Sequence, residues 1–101
     1  MVSILHLVNQ SPFANNALQQ CVSRINNEQD ALVLLENGVY GALSKATNNV
    51  AIPSIKRCYA IEEDILARGI SREALFENIT LIDYTTFVKL TVEFPLSQSW
   101  Y

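Results

Sequence analysis

The sequence is short of the residues and motifs that most enzyme active sites need. It has one histidine and two cysteines, and it contains no CxxC pair, Walker loop, GxGxxG turn or HExxH helix. A single histidine excludes a His-rich metal site, and two cysteines are too few for a disulfide scaffold. We therefore expect no metal, no cofactor and a reducing compartment.

Charge and hydropathy argue against two further classes of protein. The formal net charge is −3 and the pI is near 4.9, whereas an autonomous nucleic-acid binder usually carries a basic face. No apolar run approaches the ~18 residues of a membrane span. The start of the chain, MVSILHLVNQ, also lacks the basic residues and cleavage site of a signal peptide. We expect a cytoplasmic protein without membrane contact or direct nucleic-acid binding.

Apolar segments alternate with segments of helical periodicity along the chain. Half of the 101 residues are apolar, which suits one domain, residues 1–101, with one core. Strands are predicted at 2–8, 31–36, 55–61 and 79–83, and helices at 12–25, 39–46, 62–69 and 84–94, followed by a tail at 95–101. This order predicts a three-layer α/β/α fold around a mainly parallel sheet of four or five strands.

The carboxyl ends of the strands are the expected place for a site, because ligands collect there in parallel sheets. Ser11, followed by Pro12, is predicted to cap the first helix, and Asp83 the last. Asp83 and Tyr84 are also candidates for a polar position at the functional edge of the sheet. Gly38 is expected to let the backbone reverse after the second strand. Glu62, Glu63 and Asp64 fit the start of a helix better than a metal site.

Cys21 is the candidate catalytic thiol, and it has a structural alternative. It falls on the apolar stripe of the first predicted helix, where a free cysteine acts as a small hydrophobic side chain. A reactive thiol needs exposure and a nearby positive charge or helix N-terminus, and Pro12 is about nine residues away. Cys58 lies within a predicted buried strand and is expected to be structural.

His6 and Trp100 are candidates for an interface or strand-end role. His6 lies in an apolar strand, where a neutral, hydrogen-bonded core histidine is the structural alternative. Asp83 is a carboxylate that could lie near it and orient the ring. Trp100 belongs to the aromatic end of the tail, which either meets a partner or folds back over the domain.

Four blocks of the sequence resemble the DsrH/TusB family, the small subunits of the DsrEFH and TusBCD sulfur-relay complexes. The resemblance covers nearly the whole chain. The blocks are ILHLVNQSPF, LLENGVYGAL, YAIEEDILARGI and LIDYTTFVKLTVEFPLSQSW. The first block and the cysteine in ALQQCVSRI lean toward DsrH, and the last block leans toward TusB.

The resemblance implies a DsrEFH-like fold and a subunit that works with partners. It implies TusC/DsrF-like and TusD/DsrE-like subunits in a heterohexamer, with the main persulfide cysteine on the largest subunit. It also implies support of 2-thiouridine formation at the tRNA wobble position. The alternative is a DsrH-type subunit in sulfur oxidation, with Cys21 as an accessory persulfide acceptor. A homodimer is expected for the isolated chain, and a small-molecule binding module is the remaining alternative.

Overall fold

Five parallel strands form one sheet at the centre of the protein. The structure is a computed structural model that describes residues 3–44 and 52–101. The strand order is β4-β3-β2-β1-β5, so the first strand lies inside the sheet and the last lies at an edge. The strands are β1 (Ile4–Val8), β2 (Ala31–Leu34), β3 (Cys58–Ile61), β4 (Ile79–Ile82) and β5 (Leu96–Trp100). This confirms the predicted α/β fold with a parallel sheet.

Short helices connect the strands and cover both faces of the sheet. The α-helices are α1 (Ala17–Arg24), α2 (Glu62–Ala67) and α3 (Tyr84–Glu93), and 3₁₀ helices span Glu36–Ala42, Ile52–Ser54 and Arg72–Ala74. In the described residues no helix is long and apolar enough to cross a membrane. The predicted start of the first strand, at residue 2, lies outside the described residues, and so does the predicted end of the second helix, at residues 45–46.

The two faces of the sheet bury two separate hydrophobic clusters. On the first face, three helices cover β1, β2 and β3. They are α1, through Leu18 and Cys21, the 3₁₀ helix Glu36–Ala42, and α2. On the second face Phe87 and Leu90 of α3 pack against β1, β2 and β3, and against β4. Alternate residues of each strand supply the two clusters, which explains the nearly continuous apolar strand sequences.

The first helix is shorter than predicted, and Ser11 does not cap it. Pro12–Ala14 form a turn, in which the Ser11 hydroxyl accepts a hydrogen bond from the Phe13 backbone N–H at 3.1 Å. The Asn15 side chain then accepts from Ala17 N–H at 3.0 Å. These local side-chain hydrogen bonds compete with the helical pattern, so α1 begins at Ala17.

The segment predicted as a tail is a fifth strand. Residues Leu96–Trp100 run parallel to β1, with Ile4 opposite Leu96 and Val8 opposite Trp100. The sequence pattern does not indicate this strand, because Ser97, Gln98 and Ser99 are three consecutive polar residues and LSQSW lacks the apolar character of the other four strands. Because β5 pairs with β1, β1 lies inside the sheet and not at its edge.

The chain reverses after β2 through Glu36 rather than through Gly38. Glu36 has φ 51°, in the left-handed region that costs a non-glycine residue on the order of 1–3 kcal/mol. This turn ends β2 at Leu34, two residues before the predicted end. Gly38 is needed for space instead, since a Cβ there would lie 2.0 Å from the Val8 carbonyl oxygen.

Gly38→Ala should therefore destabilise the protein strongly. The new methyl group would meet backbone of β1, which cannot move without disturbing the sheet, so we expect a loss of about 3 kcal/mol in urea unfolding. Gly69→Ala is the control: Gly69 has φ +65° but an open Cβ position, and its loss should be about 1 kcal/mol. A Gly38→Ala protein as stable as Gly69→Ala would contradict this account.

Candidate functional site

The carboxyl edge of the sheet holds a closed polar network centred on Asp64. The first turn of α2 places this carboxylate beside the turn after β2, where it accepts the Glu36 backbone N–H at 2.8 Å. The Tyr84 hydroxyl, at the start of α3, donates to the same carboxylate at 2.9 and 3.0 Å. The hydrogen bond to Asp64 raises the pKa of Tyr84. Asp64 thus joins the segments that follow β2, β3 and β4.

Arg68 ties the turn after β2 to helix α2. Its Nε and Nη2 donate to the Asn37 side-chain oxygen at 3.1 and 3.0 Å, and its Nη1 donates to the Asp64 backbone oxygen at 3.1 Å. This network was not predicted from the sequence, although the four-residue spacing of Asp64 and Arg68 on one helix is a signal for their pairing. The donors and acceptors in this network bond to one another, which favours a rigid surface over a reacting group.

Asp83 caps α3, as its position predicted. Its side chain accepts the Thr86 backbone N–H at 2.8 Å, and this hydrogen bond lowers the pKa of the Asp83 carboxyl. Tyr84 follows it directly with a side chain that is 42% exposed. These two predicted residues therefore share the edge, where Asp83 supports the helix and Tyr84 bonds to Asp64.

His6 lies in a buried hydrogen-bond chain that links three strands. Its Nε2 is 2.9 Å from Asp30 Oδ2, and the Trp100 indole nitrogen is 3.1 Å from His6 Nδ1. An indole N–H can only donate, so Nδ1 must accept and the ring proton of neutral His6 sits on Nε2, facing Asp30. In this chain Trp100 donates to His6 and His6 donates to Asp30. The two hydrogen bonds together fix the tautomer of the histidine.

The carboxylate partner of His6 is Asp30, so the expectation that Asp83 would serve is wrong. His6 and Asp30 share the first face of the sheet, and Asp30 immediately precedes β2, the neighbour of β1. Asp83 follows β4, which lies three positions from β1 in the sheet. A single sequence does not show that β2 lies next to β1 and β4 three positions away, because it leaves the strand order open.

Asp30 is buried, with 4% of its surface exposed, and both of its carboxylate oxygens have hydrogen-bond partners. Burial acts to raise its pKa, but hydrogen bonds from Asn26 N–H at 3.0 Å, from the His6 ring and from Ile4 N–H at 2.9 Å outweigh burial and lower it. The carboxylate is therefore ionised at neutral pH and holds the start of β1 against the loop before β2.

Trp100 folds back onto the protein, which is one of the two predicted roles of the aromatic end. Its ring stacks on His6 with centroids 6.1 Å apart and an interplanar angle of 28°. On the same ring, the Arg24 guanidinium carbon lies 5.8 Å from the centroid, within the range of a cation–π contact. The end of β5 is thus anchored to both β1 and α1.

Both thiols are buried, as the apolar patterns predicted. Cys21 is 0% and Cys58 1% exposed. Burial, with a smaller effect of the Asp30 charge, raises the pKa of Cys21 to about 12, and burial raises that of Cys58 to about 12. Since the thiolate is the nucleophile, neither cysteine is activated at neutral pH in this conformation.

A groove of about 430 Å³ lies beside β4. Its charged walls are Glu62, Glu73, Glu77 and Arg72, and Arg72 already pairs with Glu62 at 2.7 Å. The excess of negative charge opposes a nucleotide phosphate. Within residues 3–44 and 52–101, no three histidine, cysteine or acidic side chains lie together as a metal site would require.

Comparisons with known proteins agree with this arrangement. The family model described as DsrH like protein matches residues 10–96. Protein TusB of Escherichia coli K12 is 35% identical over 101 residues, covering 96% of this chain and 100% of the relative. Protein TusB of Pectobacterium parmentieri is 38% identical over 98 residues, with the same coverage. The solution NMR structure of protein Tm0979 from Thermotoga maritima matches with a TM-score of 0.65 and 29% identity, over 89% of this chain and 92% of that chain.

The parallel sheet is covered on both faces and both thiols are buried inside, which defines a small α/β protein. The extent of the matches then identifies the family: the chain belongs to the DsrH/TusB family. This confirms the resemblance carried by the four sequence blocks. It also supports the interpretation that the protein is a subunit of a sulfur-relay system.

Asp30→Asn should lower stability most at neutral pH. Because the folded-state pKa of Asp30 is lowered, its stabilisation is present above the unfolded value of about 3.9 and is lost as pH falls through the folded value. We expect about 2 kcal/mol of destabilisation at pH 7, shrinking below about pH 4, in urea unfolding. The exposed Glu28→Gln is the control and should change stability much less. A wild-type-to-mutant difference that stays constant down to about pH 3 would refute this role.

Cys21 and Cys58 should resist iodoacetamide in the folded protein and react only after denaturation, as judged by intact mass. Ser23→Cys is the matched control, because Ser23 is exposed on the same helix, and this variant should gain one label under native conditions. Rapid native labelling of Cys21 would contradict its buried, protonated state.

Proposed function

We propose that the protein is a structural subunit of a cytoplasmic sulfurtransferase complex that supports 2-thiouridine formation at the tRNA wobble position. The observation that carries this proposal is the burial of Cys21 together with a thiol pKa of about 12. A side chain in that state is unsuited to accept a persulfide from a donor at neutral pH. The sulfur carrier would therefore be a cysteine of another subunit.

The named relatives favour the tRNA role over sulfur oxidation. The relatives at 35% and 38% identity are both called protein TusB, and each is covered over 100% of its length. The alternative, a DsrH-type subunit with Cys21 as an accessory thiol, is supported by the family model and by the position of Cys21 in α1. That role would require α1 to move off the sheet to expose the thiol.

The proposed partners are TusC/DsrF-like and TusD/DsrE-like subunits in a heterohexamer. The outer side of α3 carries apolar side chains that a partner would cover, with Val88 57% and Val92 81% exposed. Leu66 on α2 is 69% exposed as well. Exposed apolar side chains of this size are typical of surfaces that are buried in an assembly.

Tagged protein purified from its native host should recover both TusC-like and TusD-like proteins. Deletion of the gene should lower 2-thiouridine in tRNA, measured by mass spectrometry of nucleosides, and the wild-type gene should restore it. Cys21→Ala should restore it as well, provided that circular dichroism shows a folded protein, because the thiol is structural here.

Three results would contradict this proposal. Recovery of neither partner would exclude the complex, and loss of function in a folded Cys21→Ala protein would favour the accessory-thiol alternative. Unchanged tRNA thiolation after deletion, with both partners recovered, would place the complex in another sulfur pathway and overturn the tRNA role.

A further inference from the structure

Helix α1 is the short element that covers the thiol of Cys21. It has eight residues, and a helix of about two turns is not stable in water without tertiary contacts. Its buried side chains, Ala17, Leu18 and Cys21, lie toward the core of the protein. The position of α1, and with it the burial of the thiol, therefore depends on the contacts that hold the helix on the sheet.

Trp100 links α1 to the last strand of the sheet. Helix α1 contacts both β1 and β5. Within β5, Leu96–Ser99 are exposed, whereas Trp100 packs against the hydrophobic cluster that contains Cys21. The Arg24 guanidinium, three residues beyond Cys21 on α1, lies over the indole ring at 5.8 Å, and the indole N–H donates to His6 of β1. Trp100 thus contacts the helix and the neighbouring strand together.

The hydrogen-bond chain that fixes Trp100 also reaches the surroundings of Cys21. Trp100 donates to His6, and His6 donates to Asp30. Burial first, and the charge of Asp30 second, raise the pKa of the Cys21 thiol, so the carboxylate lies close enough to act on the thiol. The indole, the carboxylate and the thiol therefore occupy one region beneath α1. Removal of Trp100 takes the donor from His6 and the aromatic ring from Arg24 at the same time.

We propose that α1 and Trp100 form a gate over Cys21, in which α1 is the lid and Trp100 is the contact that keeps the lid closed. When Trp100 leaves its place, α1 loses its link to β5, moves off the sheet and exposes the thiol to solvent. An exposed thiol is no longer desolvated, so it forms the thiolate more readily. In the closed state Cys21 is structural, as in the proposed function, and the gate does not depend on which sulfur pathway the protein serves.

The second cysteine distinguishes opening of the gate from unfolding of the protein. Cys58 lies in β3, two positions from β1 in the sheet, and β3 pairs with a strand on each side. A local movement of α1 exposes Cys21 and leaves the strands paired, whereas global unfolding exposes both thiols. The rates at which the two thiols react with a reagent therefore report the two events separately in the same molecule.

Trp100→Ala tests the contact that closes the gate. The full chain is treated with iodoacetamide under native conditions, and peptide mass spectrometry follows the labelling of each cysteine. Labelling through a local opening is proportional to the open population, so we expect Cys21 to react at least about tenfold faster than in the wild type, with Cys58 unchanged. Tyr101→Ala is the matched control, because Tyr101 is the next aromatic residue and is 83% exposed, and it should leave both rates unchanged.

Arg24→Gln tests the same contact from the helix. It removes the cation from the indole ring and leaves the hydrogen bond from Trp100 to His6 in place, so Cys21 labelling should accelerate about threefold. In the Trp100→Ala background the same substitution should add nothing, because the two side chains act as one contact. An equal acceleration in both backgrounds would mean that Arg24 acts through the helix dipole instead, and it would overturn the role of Trp100 as its partner.

Further outcomes of the labelling would overturn the gate. Equal acceleration of Cys21 and Cys58 in Trp100→Ala would show a general loss of stability, and an unlabelled Cys21 in folded Trp100→Ala would show that α1 stays closed without the indole. If circular dichroism shows that Trp100→Ala does not fold, Trp100→Phe replaces it, since it keeps an aromatic ring and lacks the N–H donor, and it should also accelerate Cys21 labelling. An unchanged Cys21 rate in both Trp100→Phe and Arg24→Gln would refute the proposal.

Discussion

The hydrogen-bond chain from Trp100 through His6 to Asp30 is the constraint on which the order of the central sheet depends. It joins the end of β5, the middle of β1 and the residue that precedes β2. Each member has one role that follows from its chemistry: the indole donates, the imidazole relays, and the carboxylate accepts. Replacing the indole would leave a buried ring nitrogen without its donor, which is costly inside a protein.

The alternation of apolar and helical segments was enough to predict the layers and the strand direction, because each buried strand needs covering helices. It was not enough to predict β5, whose polar sequence carries little burial signal and whose pairing with β1 joins residues more than 90 positions apart. It also did not predict that the Ser11 turn delays α1, because a side chain-to-backbone hydrogen bond competes locally with the helix.

Some residues of the site were predicted correctly from the sequence, and others were not, because their contacts depend on tertiary structure. Asp83 as a cap and Cys21 as a core side chain follow from local spacing, and both have those positions in the structure. The partners of His6 and Tyr84 are Asp30 and Asp64, which depend on strand order and on the path of the turn at Glu36. Such contacts are set by tertiary structure, so a single sequence contains little information about them. The buried thiols and the mutually bonded polar groups at the carboxyl edge do not by themselves indicate a function. The proposed function therefore rests on membership of the family.

The pairing of β1 with β5 also has a consequence for folding during synthesis. β1 can pair with β2 as soon as the first part of the chain has left the ribosome, but its other edge stays open until residues 96–100 have been made. Closing a contact of such long sequence separation is slow compared with forming local structure. During that interval the most hydrophobic part of the sheet presents an unpaired edge, and an early partner or chaperone would have its best opportunity to bind there.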